Sequence, residues 1–218
     1  MLIFVAVAFY AKTQKIKSRT WIKPLEVVVF PINGENSQEV EQYIQTLDSA
    51  VFSDIDRFFQ SEAEFYQLNT PTPFRVTLGP TLRKHPPASP RPDSNILSII
   101  WWGLRFRYWA YRHTPDDKSN LRRIRVFAHY HEAHKGKKLQ HSLGLDKGLL
   151  AVVHAFASEN QEAQNNIVIA HELLHTVGAT DKYDNDGEPV FPNGYADPER
   201  QPLIRRKRPR SWRHAFPC

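Results

Sequence analysis

The apolar positions of this chain fall into two kinds of run: some continue almost unbroken, and others recur every third or fourth residue. Residues 25–32 (LEVVVFPI) are rich in β-branched side chains and close on Asn33-Gly34, which predicts a buried strand. Asn36-Ser-Gln-Glu39 has the form of a capping box, and Val40, Ile44 and Leu47 follow at helical spacing. A second helix is predicted from Ser53, with Ile55, Phe58, Phe59, Ala63 and Tyr66 on its apolar side. Residues 74–78 (FRVTL) alternate as a strand does, and residues 80–93 form a proline-rich surface loop.

Residues 94–113 (SNILSIIWWGLRFRYWAYRH) are helical by period. Leu97, Ile100, Trp101, Leu104, Tyr108 and Tyr111 form one stripe, and Trp102, Arg105, Trp109 and Arg112 lie opposite. This predicts a long core helix whose arginines snorkel to water. Aromatics interleaved with arginine also suit stacking on nucleobases or a membrane interface. Residues 124–130 (IRVFAHY) and 149–156 (LLAVVHAF) read as further strands, separated by a polar loop. Asn165 or Asn166 is expected to cap the helix that carries His171 and His175. The order of elements predicts an α/β (α+β) domain with one mixed sheet.

Composition adds bounds to this picture. The chain has 218 residues, 41% of them hydrophobic and 12% aromatic, which suits one domain with short appendages. The net charge of +6 comes from Arg205, Arg206, Lys207, Arg208, Arg210 and Arg213 in a stretch without acids. Residues 1–203 are therefore formally neutral, which argues against nucleic acid as a partner of the domain. The single cysteine is Cys218, so neither a disulfide framework nor a cysteine-based metal site is available.

The opening MLIFVAVAFYA is apolar and is followed by the basic run KTQKIKSR. It is shorter than the roughly 20 residues that span a bilayer. It reads either as the tail of a longer membrane anchor or as an N-terminal strand, and its lack of polar alternation favours the anchor. The resulting division is an apolar segment and basic linker over 1–22, one folded domain over 23–200 and a basic tail over 201–218. A membrane-anchored protein is expected, on the periplasmic or the cytoplasmic side; basic residues after the apolar start favour the cytoplasm if Met1 is the true start.

HELLHTVGATDKYD, residues 171–184, carries the candidate chemistry. Histidines four apart share one helix face, so both imidazoles of His171 and His175 can reach a single ion. Glu172 then lies where it can serve as general base, the HExxH arrangement of zinc peptidases. The bland alternative is a buried helix with two satisfied histidines. Gly178 stands where a helix ends in the left-handed conformation, and Asp181 completes the pattern HExxHxxGxxD.

These residues resemble the metzincin-type zinc metallopeptidases, in a minority of which, such as the snapalysin-like enzymes, the third ligand is Asp. The resemblance implies a zincin-like mixed sheet with an active-site helix, and Zn²⁺ held by His171, His175 and Asp181 with a fourth position open. It implies a zinc metalloendopeptidase that hydrolyses peptide bonds of a peptide or protein substrate through a metal-bound water, with Glu172 as general base. Tyr183 is the first candidate to donate to the oxyanion and Tyr195 the second; Asp184 is the rival third ligand. The strand before the helix, 149–156, is expected to be the sheet edge that pairs with extended substrate. The tract 178–197 also looks like that of bacterial membrane-associated proteins of this motif class, which implies no particular substrate. Asp184-Asn-Asp-Gly187 reads as a turn rather than a calcium loop. His129, His131, His134 and His141 lie in or near one loop and read as solvated, with a second metal as the alternative.

The tail departs from that pattern. Metzincin-type sites rest on a methionine-containing turn, and the only methionine here is Met1. One permitted codon set for residues 203–218, with a single T inserted after the Leu203 codon, reads LYPQKTAEIMAARIPL and puts a methionine in the place of Trp212. A frameshift from about Ile204 is therefore expected, with the intact protein continuing beyond it. Two other readings remain open: a catalytically inactive binding protein of the same fold, and a nucleic-acid-associated protein acting through RRKRPR.

Overall fold

Four strands run parallel: helices lie between the first three in sequence, and the last comes parallel to the third by way of a short antiparallel strand at the sheet edge. The structure, a computed structural model, describes residues 13, 21–90, 94–115, 123–134, 138–145 and 149–180. The strands are β1 (Leu25–Asn33), β2 (Phe74–Leu78), β3 (Arg123–His131), β4 (Leu143–Leu145) and β5 (Leu150–Phe156). The helices are α1 (Gln38–Thr46), α2 (Ser53–Phe65), α3 (Ile96–His113) and α4 (Glu162–Thr176). The sheet order is β2-β1-β3-β5-β4, and β4 alone runs antiparallel. The expected α/β (α+β) class with one mixed sheet is what the chain adopts.

Alternation along the strands divides the apolar side chains between two layers. Val27, Val29, Val126, Ala128 and Val153 face α1, α2 and α4, meeting Ile44, Phe59, Ile169 and Leu173. Phe30, Ile32, Phe127 and Val152 point the other way, to Trp102, Phe106 and Ala110 of α3. Central strands buried on both faces explain the near-continuous apolar runs in the sequence. Leu149, at φ 53, immediately precedes β5 and its side chain is completely buried.

Three expectations need correction. The stripe expected to face the core on α3 faces solvent: Leu97 is 76% exposed, Trp101 63% and Tyr108 68%. The opposite side packs, with Trp102 donating from Nε1 to the Pro87 carbonyl at 3.0 Å and Phe106 crossing Phe127 edge to face at 5.5 Å. Both sides of this helix are apolar, so its period fixes the axis and not the side that is buried. The capping box does not form: the N-cap of α1 is Ser37 and not Asn36, its side chain accepts no capping hydrogen bond, and its hydroxyl donates to Glu132. Strand β5 is interior and β4 forms the edge of the sheet, so residues 149–156 are not the edge strand. Among the described residues, no helix is long and apolar enough to cross a membrane.

Candidate metal centre

Helix α4 begins at Glu162, earlier than the asparagines that were expected to cap it. Asn165 lies inside the helix and is buried, accepting from the Phe156 amide at 3.0 Å and donating to the Phe156 carbonyl at 2.9 Å. Asn166 donates to the Val51 carbonyl at 2.7 Å. The two amides fasten the start of α4 to the end of β5 and to the turn before α2. They are buried because the backbone groups they serve would otherwise lack partners.

The other end of α4 closes in a Schellman motif. Gly178, at φ 96, donates to the His175 carbonyl at 3.0 Å, and Ala179 donates to the Leu174 carbonyl at 2.9 Å. This left-handed turn at Gly178 is the one the sequence predicts. It also brings the Ala179 carbonyl within 3.0 Å of His175 Nδ1. A carbonyl only accepts, so Nδ1 carries the proton and the neutral ring presents a lone pair on Nε2. That is how a metal-ligating histidine is ordinarily held.

His175 Nε2 lies 3.0 Å from His171 Nε2. Two nitrogens at zinc's usual distance of roughly 2.0–2.1 Å, in tetrahedral arrangement, stand about 3.3 Å apart. The pair therefore already has nearly the separation that one ion requires. Glu172, between them in sequence, is only 5% exposed. Above it runs the edge strand. A β-carbon on Gly144 would overlap the Glu172 carbonyl oxygen, and it would stand 2.7 Å from His175 Cβ and 3.1 Å from Glu172 Oε2. Only a residue without a side chain lets β4 lie this close to the helix. By its sequence Gly144 belongs to a polar loop, and nothing in a three-residue LGL strand signals this contact.

His171, Glu172 and His175 are thus brought together on α4. Asp181, Tyr183, Asp184 and Tyr195 lie outside the described residues, as does the segment 201–218. Among the described residues, no group of three His, Cys, Asp or Glu is placed to hold a metal ion. The donor set at α4 is therefore two nitrogens that fit zinc, with the third ligand resting on the sequence.

His129 and His131 belong to strand β3 and not to a loop. On the sheet face opposite α4, His129 stands in register with His154 of β5. Glu35 accepts from His131 Nδ1 at 3.1 Å, and His131 Nε2 lies 3.0 Å from His154 Nδ1. The carboxylate fixes the proton of His131 on Nδ1, so His154 donates to His131 when both rings are neutral. Burial, and after it the neighbouring His154, His85 and His131, pushes His129 down to about 3. Burial and His131 push His154 down to about 4. Both are neutral at pH 7.

No protein-family model matches the chain, and no curated protein matches it.

Proposed function

We propose that the protein is a zinc-dependent endopeptidase. The observation that carries this reading is the 3.0 Å convergence of His171 Nε2 and His175 Nε2, with His175 Nδ1 anchored on the Ala179 carbonyl. His171, His175 and Asp181 would hold the ion, the last by its spacing in HExxHxxGxxD. A bound zinc ion supplies Lewis acidity to the scissile carbonyl and to water.

The remaining work falls to the chain itself. Glu172 accepts a proton from the attacking water and returns it to the leaving amine. Its burial beneath β4 keeps bulk water away from that exchange. Among the described residues no strand pairs with the outer edge of β4, and that edge would pair with an extended peptide through backbone hydrogen bonds, taking the role expected of residues 149–156. Tyr183, two residues beyond Asp181, is the proposed oxyanion donor.

Zinc content and proteolysis of an unfolded protein test this reading. The purified chain should hold about one zinc ion, His171→Ala should hold none, and Glu172→Ala should keep the metal and lose cleavage. A zinc-free wild type, or a Glu172→Ala variant as fast as wild type, refutes it. Retained zinc without cleavage in the wild type would instead favour a binding protein built on the same site.

A further inference from the structure

Helix α3 is apolar on both sides. Its inner side is spent on the sheet, where Trp102, Phe106 and Ala110 are buried. Its outer side shows Leu97, Ile100, Trp101, Leu104, Tyr108 and Tyr111 to solvent, and Leu104, the least exposed of Leu97, Trp101, Leu104 and Tyr108, is still 51% exposed. The spacing of Leu97, Trp101, Leu104, Tyr108 and Tyr111 is four, three, four, three, so these side chains line one continuous strip of the helix. Apolar strips of this length are rarely left bare on monomeric soluble proteins.

The charges on α3 decide what covers it. The exposed arginines of the helix are Arg105 and Arg112, and it has no Asp or Glu. Two copies packed through this strip would bring their four exposed arginines together without a carboxylate on either helix to answer them. The chain's other long apolar run, residues 1–11, is followed by Lys12, Lys15, Lys17 and Arg19, and residues 1–20 also contain no acid. It therefore supplies no complement either. A surface that takes both an apolar strip and the exposed positive charge of Arg105 and Arg112 is the interface of an anionic bilayer, where Trp and Tyr rings settle at headgroup level and arginines reach the phosphates.

We infer that the outer strip of α3 is a docking face for anionic membrane surfaces, with Leu97, Trp101, Leu104 and Tyr108 inserted and Arg105 and Arg112 at the headgroups. The helix lies along the membrane and does not cross it. This inference is independent of the zinc chemistry at α4.

The test uses the full chain with phosphatidylcholine vesicles, with and without phosphatidylserine. Wild type should sediment with the phosphatidylserine vesicles, and added salt should weaken this binding. Brominated acyl chains should quench a component of the tryptophan emission that is missing in Trp101→Phe. Leu97→Gln/Leu104→Gln/Tyr108→Gln changes only exposed side chains, should melt as wild type does, and should partition roughly tenfold or more weakly. Equal partition of wild type and the triple variant, with no quenching that Trp101→Phe removes, would place binding elsewhere in the chain and overturn the inference. So would a wild-type dimer that the triple variant dissolves, or binding to a nucleic acid oligomer but not to vesicles.

Discussion

Gly144 on β4 and Glu172 on α4 are so close that a methyl group cannot fit between them. The edge strand and the histidine helix are therefore locked at one separation, set by a missing side chain. Gly144→Ala should force the strand off the helix, at a cost of about 1–3 kcal/mol. It should also weaken zinc binding, because His175 Cβ is one of the atoms displaced. Thermal unfolding with and without zinc, together with a zinc titration, measures both effects; an alanine variant with unchanged affinity and melting would show that the contact does not matter.

Gly178→Ala tests the turn that holds His175. Alanine at φ 96 is strained by about 1–2 kcal/mol. If the turn relaxes, the Ala179 carbonyl leaves His175 Nδ1, and loss of such a supporting hydrogen bond lowers metal affinity by roughly 10–100-fold. A zinc competition assay against a chromophoric chelator should show the drop even where the protein remains folded.

Asn165→Ala removes both hydrogen bonds to the Phe156 backbone. The expected loss is about 1–3 kcal/mol in urea unfolding, with the end of β5 losing hydrogen-exchange protection before the centre of the sheet. Uniform protection along β5 in the variant would argue against this anchoring role.

His129 makes stability depend on pH in a defined direction. Its pKa falls from 6.5 to about 3 on folding, so the unfolded chain binds more protons between those values. Stability is therefore full above about pH 6.5 and declines as pH falls through that window. From pH 7 to pH 5 the loss from His129 is about 2 kcal/mol, and His154, also lowered, contributes with the same sign. Urea midpoints at the two pH values should converge in His129→Leu relative to wild type. A wild-type protein equally stable at both would contradict the burial of a neutral ring.

Much of the fold is legible in the sequence, and what is not legible shares a cause. Residues 74–78 and the start of α2 at Ser53 follow from local period alone, and both stand where the sequence puts them. The side of α3 that turns inward depends on Phe127 and Pro87, which are distant in sequence, so no local pattern could supply it. Residues 149–156 are a continuous apolar run, the mark of a strand buried on both faces. The same pattern argues against the edge position implied by the family resemblance. At the candidate site, His171, Glu172, His175 and Gly178 were legible because helix geometry fixes their relations. Gly144, Asn165 and the Ala179 carbonyl were not, because each acts across a tertiary contact.

The two-layer sheet also sets an orientation. α3 and α4 lie on opposite faces of the same strands, so a molecule resting on lipid through α3 would hold its histidine helix on the side turned to water. The substrates of the proposed peptidase would then be tails and loops that stand clear of the bilayer, within one molecule's height of the surface, and segments embedded in lipid would be out of reach.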